Sequence, residues 1–303
     1  MPILTIAGAM LDTGFQQARE LAEALAKESK DMKLVIEEIQ EIPWKARLEK
    51  LKKGKGGKAH ENNSGWCFLG SRSVRDFVFA GCFVTHSVEG YIGEATDFLV
   101  WVKTRYDKEP TIDSKTAATV ANERFSAYRK ASGNEFCFFD IKFGDGKTAK
   151  MVFEVNTRIC PKTSKNFVQL CTGEVKEKGA DGSKLHYKGT PFHRIVPGGW
   201  AQGGDIKSGA GTGGCSVYGK TFGDESFTIK HDRRGILGMA NKGPHTNGSQ
   251  FYITFKPLPF LDQSKVAFGW IIDGSEALAK LEECSTKNQR PTPDIVIVDC
   301  GTL

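Results

Sequence analysis

Two styles of hydrophobic spacing divide the chain. Ile3 to Gly8, ILTIAG, is a short apolar run, the pattern of a buried strand. Thr13 to Lys27 sets Phe15, Ala18, Leu21, Ala22 and Leu25 three or four residues apart, which is one face of a helix. KLVIEEI (33–39) predicts a second strand, and Pro43 sits where a proline favours the first turn of a helix, PWKARLEKLKK. WCFLGS (66–71) and CFVTH (82–86) predict further strands, with helices near Ser73 and over Ala95 to Tyr106. Strands alternating with helices argue for a small α/β sandwich over residues 1–110.

Pro110 stops the last of these helices. Residues 113–133 then carry Ala117, Ala121, Phe125 and Tyr128 on one side and end in Ser132-Gly133-Asn134, a C-cap signal. A helical linker is expected over 111–135.

Beyond residue 135 the period changes. FCFFDIKF (136–143) and AKMVFEV (149–155) flank Gly144-Asp145-Gly146-Lys147, a hairpin signal. PKTSKNFVQLCTG (161–173) begins with Pro and ends with Gly, as a helix does. KGTPFHRIV, AQGGDI, FTIKH, GILGMAN, SQFYITF and VAFGWII read as short strands with glycine corners. A helix, SEALAKLEEC (275–284), and a last strand, IVIVDCG (295–301), follow. Many short strands and two helices predict a closed barrel with capped ends over 136–303.

Composition narrows this little further. A length of 303 residues accommodates two domains, and 39% hydrophobic with 26% charged residues is ordinary for a soluble globular chain. No apolar run approaches a membrane span. MPILTIAGAMLDTGF lacks a basic leader and meets Asp12 early, so it reads as a first strand and not a signal peptide. The net charge of +6 is uneven: residues 1–135 hold 20 Lys+Arg against 19 Asp+Glu, and the rest hold 22 against 17. That excess fits an acidic partner or a plain soluble domain; nucleic-acid binding would need a denser basic face. Lys50 to Lys58, KLKKGKGGK, reads as a solvated loop. None of the eight cysteines forms C-x-x-C or pairs with His at zinc-ligand spacing, and most lie in apolar runs. Free thiols acting as small core residues imply a reducing, cytoplasmic compartment.

One residue breaks the pattern. In FHRIVPGGWAQGGD (192–205), Arg194 lies between His193 and Ile195, inside a strand that should be half-buried. It is either a neutralised structural charge or a working guanidinium.

Ordered motifs decide between the two. FFDI (138–141), PKTSKNF (161–167), FHRIVPG (192–198), QGGD (202–205), GTGG (211–214), GMAN (238–241), NGSQF (247–251) and VAFG (266–269) resemble a cyclophilin over all of residues 136–303. The resemblance implies an eight-stranded antiparallel barrel capped by two helices. It also implies isomerisation of Xaa-Pro bonds in Pro-containing proteins or peptides, with no cofactor, no metal, no nucleic acid and no membrane. Amide resonance sets that barrier at roughly 18–20 kcal/mol. A guanidinium donating toward the prolyl nitrogen favours a pyramidal, non-resonant amide and so stabilises the twisted state. By resemblance Arg194 is that group and Gln202 steadies it. Asn241 would bind the peptide backbone, Gly211 and Thr212 would border a neighbouring shallow pocket, and Ala240, Gln250, Phe251 and Leu261 would line the site. His193 is expected to pack rather than act as a base, and Asp140 and Asp299 to serve fold and turn.

Five positions depart from the family pattern: Gly199 and Trp200 replace Phe-Met, Tyr252 replaces Phe, Phe260 replaces Trp, and Lys265 replaces His. Losing burial against one Phe is worth roughly 1.5–3 kcal/mol. A hold on proline about ten- to a hundred-fold weaker is expected unless Trp200 fills in.

The first half resembles a thioredoxin- or glutaredoxin-like domain. Its redox cysteines would fall in AGAMLDTGF (7–15), which has no thiol, and the proline such domains place before a later strand is not evident near Trp66 to Gly70. Without a thiol no dithiol exchange is possible, so an adaptor is expected, with a Cys67–Cys82 pair as the remaining redox alternative. Two functions stay open: an isomerase of reduced activity, and a non-catalytic binding or structural component. A two-domain branch of the family is associated with motile cilia, which makes a microtubule or axonemal partner an expectation.

Overall fold

The computed structural model describes residues 3–28, 32–40, 82–86, 90–93, 95–144, 146 and 148–303. The expected helix after Pro43, the basic Gly-rich stretch, the strand at 66–71, the helix near Ser73 and Cys67 lie outside these. The chain forms two compact units, Met1–Tyr128 and Arg129–Leu303. Among the described residues no helix is long and apolar enough to cross a membrane.

In the first unit β1 (Ile3–Ala9) runs parallel to β2 (Lys33–Ile39), and α1 (Thr13–Glu28) connects the two. β3 (Cys82–His86) pairs antiparallel with the other edge of β1, and β4 (Gly90–Gly93) with β3, giving the order β2-β1-β3-β4. α1 and α2 (Ala95–Tyr106) bury Phe15, Leu21, Phe98 and Val102 against Leu4, Ile6 and Val84. The helical periodicity of 13–27 is the reason: Phe15, Ala18, Leu21, Ala22 and Leu25 are all buried. Asp12 caps α1, its Oδ1 accepting from Phe15 N at 2.6 Å. Burial pushes its pKa up, against the backbone amides of Phe15 and Gly14.

α3 (Ser114–Ser132) fills the segment expected as a linker, and the dividing line between the units falls within it. Its first part belongs to the first unit. Ala117 and Ala121 are buried, Thr111 bonds Glu20, and Glu38 accepts from both Arg19 and Arg124.

The second unit holds an antiparallel sheet of eight strands: β5 (Glu135–Phe143), β6 (Thr148–Val155), β7 (Arg194–Val196), β8 (Trp200–Gly203), β9 (Ile236–Met239), β10 (Phe251–Thr254), β11 (Ala267–Asp273) and β14 (Ile295–Thr302). Their order is β14-β5-β6-β11-β9-β10-β8-β7. The expected barrel is a curled sheet whose ends meet through the chain entering β7. Pro191 bridges Val296, and Phe192 N donates to Ile295 O at 2.9 Å. α4 (Pro161–Thr172) packs on β5 and β14, and α5 (Ser275–Glu283) on β6 and β8. β12 (Thr286–Lys287) and β13 (Arg290–Pro291) form a separate small hairpin.

FTIKH, expected as a strand, is irregular: Thr228 N donates to Ser226 Oγ and His231 N to Asp262 Oδ1, so side chains take the bonds a ladder would need. The core is aromatic. Phe139, Phe153, Phe167, Tyr187, Phe251 and Phe268 meet mostly edge to face. Cys137, Cys160, Cys171, Cys215 and Cys300 are buried free thiols.

Candidate functional site

Strand register sets three side chains abreast. β7 and β8 pair Arg194 with Gln202, and β8 and β10 pair Gln202 with Tyr252. These three residues line one cavity of about 800 Å³. Its lining also includes Trp200, Gly211, Thr212, Ala240, Asn241, Gln250, Leu261 and Lys265, each named above from sequence. Two named residues stand elsewhere. Phe251 is wholly buried in the aromatic core beside Phe139 and Tyr187. Phe260 is 67% exposed, on the short 3₁₀ turn Pro259–Leu261, and does not line the cavity.

Arg194 is held by neutral groups. It forms no ion pair among the described residues. Its Nε donates to Gln289 Oε1 at 2.7 Å, and its guanidinium carbon lies 5.7 Å from the centre of the Trp200 ring. No acceptor engages its Nη atoms among the described residues, and Arg194 lines the cavity. Gln289 was not visible as a site residue in the sequence. It sits with Asn288 at the tip of the β12–β13 hairpin, at φ 65° and 52° respectively. Left-handed backbone at a non-glycine residue is uncommon. Here it carries a side chain that holds Arg194, while Gln289 O accepts from Ile195 N at 2.7 Å. An Asn in a two-residue turn was the only sequence signal.

An apolar wall lies beside Arg194. Trp200, Tyr252, Leu258, Leu261 and Ala240 form one cluster, with the Trp200 and Tyr252 rings 6.2 Å apart. Trp200 therefore supplies an aromatic side where Gly199 supplies none. Tyr252 is 3% exposed, and its hydroxyl lies 2.6 Å from His231 Nε2. His231 is fully buried, with Nδ1 2.8 Å from Asp262. Burial pushes the His231 pKa down, against the pull of Asp262, which favours the neutral ring. With Nδ1 donating to the carboxylate, Nε2 accepts from the phenol. The same burial raises the Tyr252 pKa far above its usual range.

A line of amides leads away from this wall. Trp200 Nε1 donates to Gln202 Oε1 at 3.4 Å, Gln202 Nε2 to Gln250 Oε1 at 2.9 Å, and Gln250 Nε2 to the carbonyls of Gly211 and Gly213 at 3.0 and 2.8 Å. The glycine loop is held from below by Asp205. Its carboxylate accepts from the amides of Lys207, Ser208, Gly211 and Gly213 and from the Ser208 hydroxyl. Burial pushes the Asp205 pKa up, but these donors outweigh it and hold the carboxyl well below the usual range. Gly211 is required there: it has φ 87°, and a Cβ would press on the His193 ring. His193 packs under the loop, and burial lowers its pKa.

Asn241 is already engaged. Lys265 Nζ donates to its backbone carbonyl at 3.2 Å and to its side-chain oxygen, and its Nδ2 donates to Asn247. A peptide N–H seeking the Asn241 carbonyl must share it with that ammonium.

Comparison with known proteins places these residues in context. A family model described as cyclophilin type peptidyl-prolyl cis-trans isomerase/CLD matches residues 138–302. A Homo sapiens protein named "Probable inactive peptidyl-prolyl cis-trans isomerase-like 6" is 40% identical over 292 residues, covering 95% of this chain and 87% of its own. A Mus musculus protein of the same name is 37% identical over 303 residues, covering 99% and 91%. The Mus musculus "NK-tumor recognition protein" is 48% identical over 168 residues, which is 55% of this chain and 12% of that one.

Proposed function

This chain belongs to the cyclophilin-type peptidyl-prolyl cis-trans isomerase family, and from that premise we propose that its second unit grips Xaa-Pro segments of proteins and isomerises them at a reduced rate. The carrying observation is the row of Arg194, Gln202 and Tyr252 across three paired strands, with the Arg194 Nη donors unengaged beside the Trp200 wall. A proline ring seated on Trp200, Tyr252 and Leu261 would bring its nitrogen toward that guanidinium. A donor there stabilises the pyramidal nitrogen of the twisted amide. The rate is reduced because Gly199 contributes no ring, Phe260 stands outside the cavity, and Lys265 competes for the Asn241 carbonyl.

That last contact favours a second reading, in which the site grips a Pro-containing loop without turning it over. The words "probable inactive" in the names of the full-length relatives support it. For the first unit we propose a thioredoxin-like adaptor. The order β2-β1-β3-β4 with β1 and β2 parallel through α1 supports that reading, and so does Asp12 capping α1 where a redox cysteine would stand. As its docking partner we propose an axonemal protein, on the family resemblance alone. An isomerase assay on a Pro peptide, run with wild type and Arg194→Ala full-length chains, separates the two readings. Catalysis by wild type that the variant lacks supports the enzyme. Equal, uncatalysed rates with retained peptide binding support the grip.

A further inference from the structure

The cavity is lined by five cations, Arg194, Lys207, Lys220, Lys242 and Lys265, and by one carboxylate, Asp181. None of the five is ion-paired among the described residues. The carboxylates around them are occupied. Asp181 accepts from Ser183 and from the Cys215 thiol, and Lys207 acts on it only through space. Asp205 is saturated by the glycine loop. Asp224 accepts from His245 N and Asn247 Nδ2, and Glu225 from the first turn of α4.

We propose that this cavity selects proline segments that carry an anionic side chain, a carboxylate or a phosphate, two residues from the proline. The inference rests on the Pro-binding reading above and names the substrate class for that site. Lys207 and Lys242 stand at the glycine-loop end, Lys207 packed where a Cβ on Gly213 would meet it, and Lys220 completes the lysines of the lining. Lys242 marks the mouth there, its Nζ donating to Thr212 O at 3.3 Å. The amide line from Trp200 through Gln202 and Gln250 to Gly211 joins the two ends. In an extended peptide every second side chain points to the same face. A proline on the aromatic wall therefore directs the side chain two residues away toward the lysine end. A neutral residue there leaves the excess of positive charge in the lining unbalanced, and a lysine adds to it. A carboxylate or phosphate offsets that excess and gains charge-assisted bonds.

The test uses the full-length chain and fluorescein-labelled hexapeptides with one Pro, read by anisotropy at 50 mM and 500 mM NaCl. Residues two before and two after the proline are varied separately among Glu, phosphoserine, Gln and Lys. The expected result is that Glu at one of the two positions binds at least ten-fold tighter than Gln, and Lys weaker than Gln. The advantage should shrink several-fold at high salt, because exposed charges are screened. Phosphoserine above Glu identifies phosphate as the source, and Glu equal to or above phosphoserine identifies carboxylate. Lys207→Glu with Lys242→Glu should invert the preference toward Lys, and the milder Lys207→Gln with Lys242→Gln should flatten it. Equal binding of Glu, Gln and Lys peptides, or a Glu preference insensitive to salt, overturns this proposal and leaves the Pro-binding reading standing. Failure of every peptide to bind overturns both.

Discussion

Gly238 stands directly across from Tyr252 in the pairing of β9 with β10, and a Cβ on Gly238 would collide with the Cζ and hydroxyl of that phenol. The missing side chain on one strand makes room for the extra oxygen on the next. That oxygen is then buried, and His231 gives it a partner, as a buried polar group requires.

Gly238→Ala should cost about 1–3 kcal/mol through overpacking. Tyr252→Phe alone should cost about 1–3 kcal/mol, because it strands His231 Nε2 without a partner. Together they should cost less than the sum, since a ring freed from His231 can tilt away from the new methyl. Thermal melts of the three variants and wild type check this; strict additivity would show that the two residues do not share the site.

Arg194→Ala should remove most isomerase activity, a loss of about 2.7–4 kcal/mol in transition-state stabilisation. Arg194→Lys should not restore it, because a point charge lacks the planar fork that spans Gln289 on one side and an amide on the other. Rates from a protease-coupled assay on folded variants decide the matter, and wild-type catalysis by the Ala variant would remove the guanidinium from the mechanism.

Gln289→Gly separates holding from folding. Glycine takes a left-handed backbone at no steric cost, so stability should hold or rise by up to about 1 kcal/mol. The Arg194 Nε–H resonance should nevertheless lose its protection from solvent exchange, and activity should fall several-fold. Unchanged exchange at Nε would show that Gln289 does not anchor the guanidinium.

Restoring the usual pocket, Gly199→Phe with Trp200→Met, is expected to raise proline affinity about ten-fold or more. The new side chain must enter tightly, because a Cβ at Gly199 meets Val196 Cγ1 at 3.1 Å. Peptide titration beside a melting curve distinguishes a better wall from a strained turn.

Acid should loosen the second unit as pH falls below neutrality. His231 and His193 both have folded pKa values pushed below the ordinary value by burial. The unfolded chain then binds protons first, at about pH 6.5. The stability they contribute is complete above that pH and is lost as pH falls toward their folded values. His231→Gln should show a smaller drop in melting temperature between pH 7.5 and 5.5 than wild type.

Much of this molecule was legible because its signals are local. The period of Phe15 to Leu25 fixed α1, and Gly144 to Lys147 fixed the β5–β6 hairpin. The motif residues from Arg194 to Lys265 gather at one cavity because paired strands carry Arg194, Trp200, Gln202 and Tyr252, and the segments between strands carry the rest. What escaped depends on contacts between distant segments. Gln289 meets Arg194 across 95 positions. FTIKH had a strand's composition but lost its ladder to Ser226 and Asp262. Phe251 was read as lining the site, yet its ring belongs to the core while its neighbour Tyr252 faces the cavity. No single-strand pattern distinguishes two adjacent aromatics that are both buried.

The amide line through Gln202 and Gln250 also has a direction that its middle members cannot choose. A glutamine amide can face either way, but the indole at Trp200 only donates and the glycine carbonyls at the far end only accept. With both ends polarised, the two amides have one orientation that satisfies every bond, and reversing either leaves oxygen facing oxygen or nitrogen facing nitrogen. A thioether at position 200, as in the usual pattern, would leave one end of the line unpolarised. The indole thus does more than face a proline: it gives Gln202 Oε1, the accepting end of the line, a side-chain donor that a thioether would not supply.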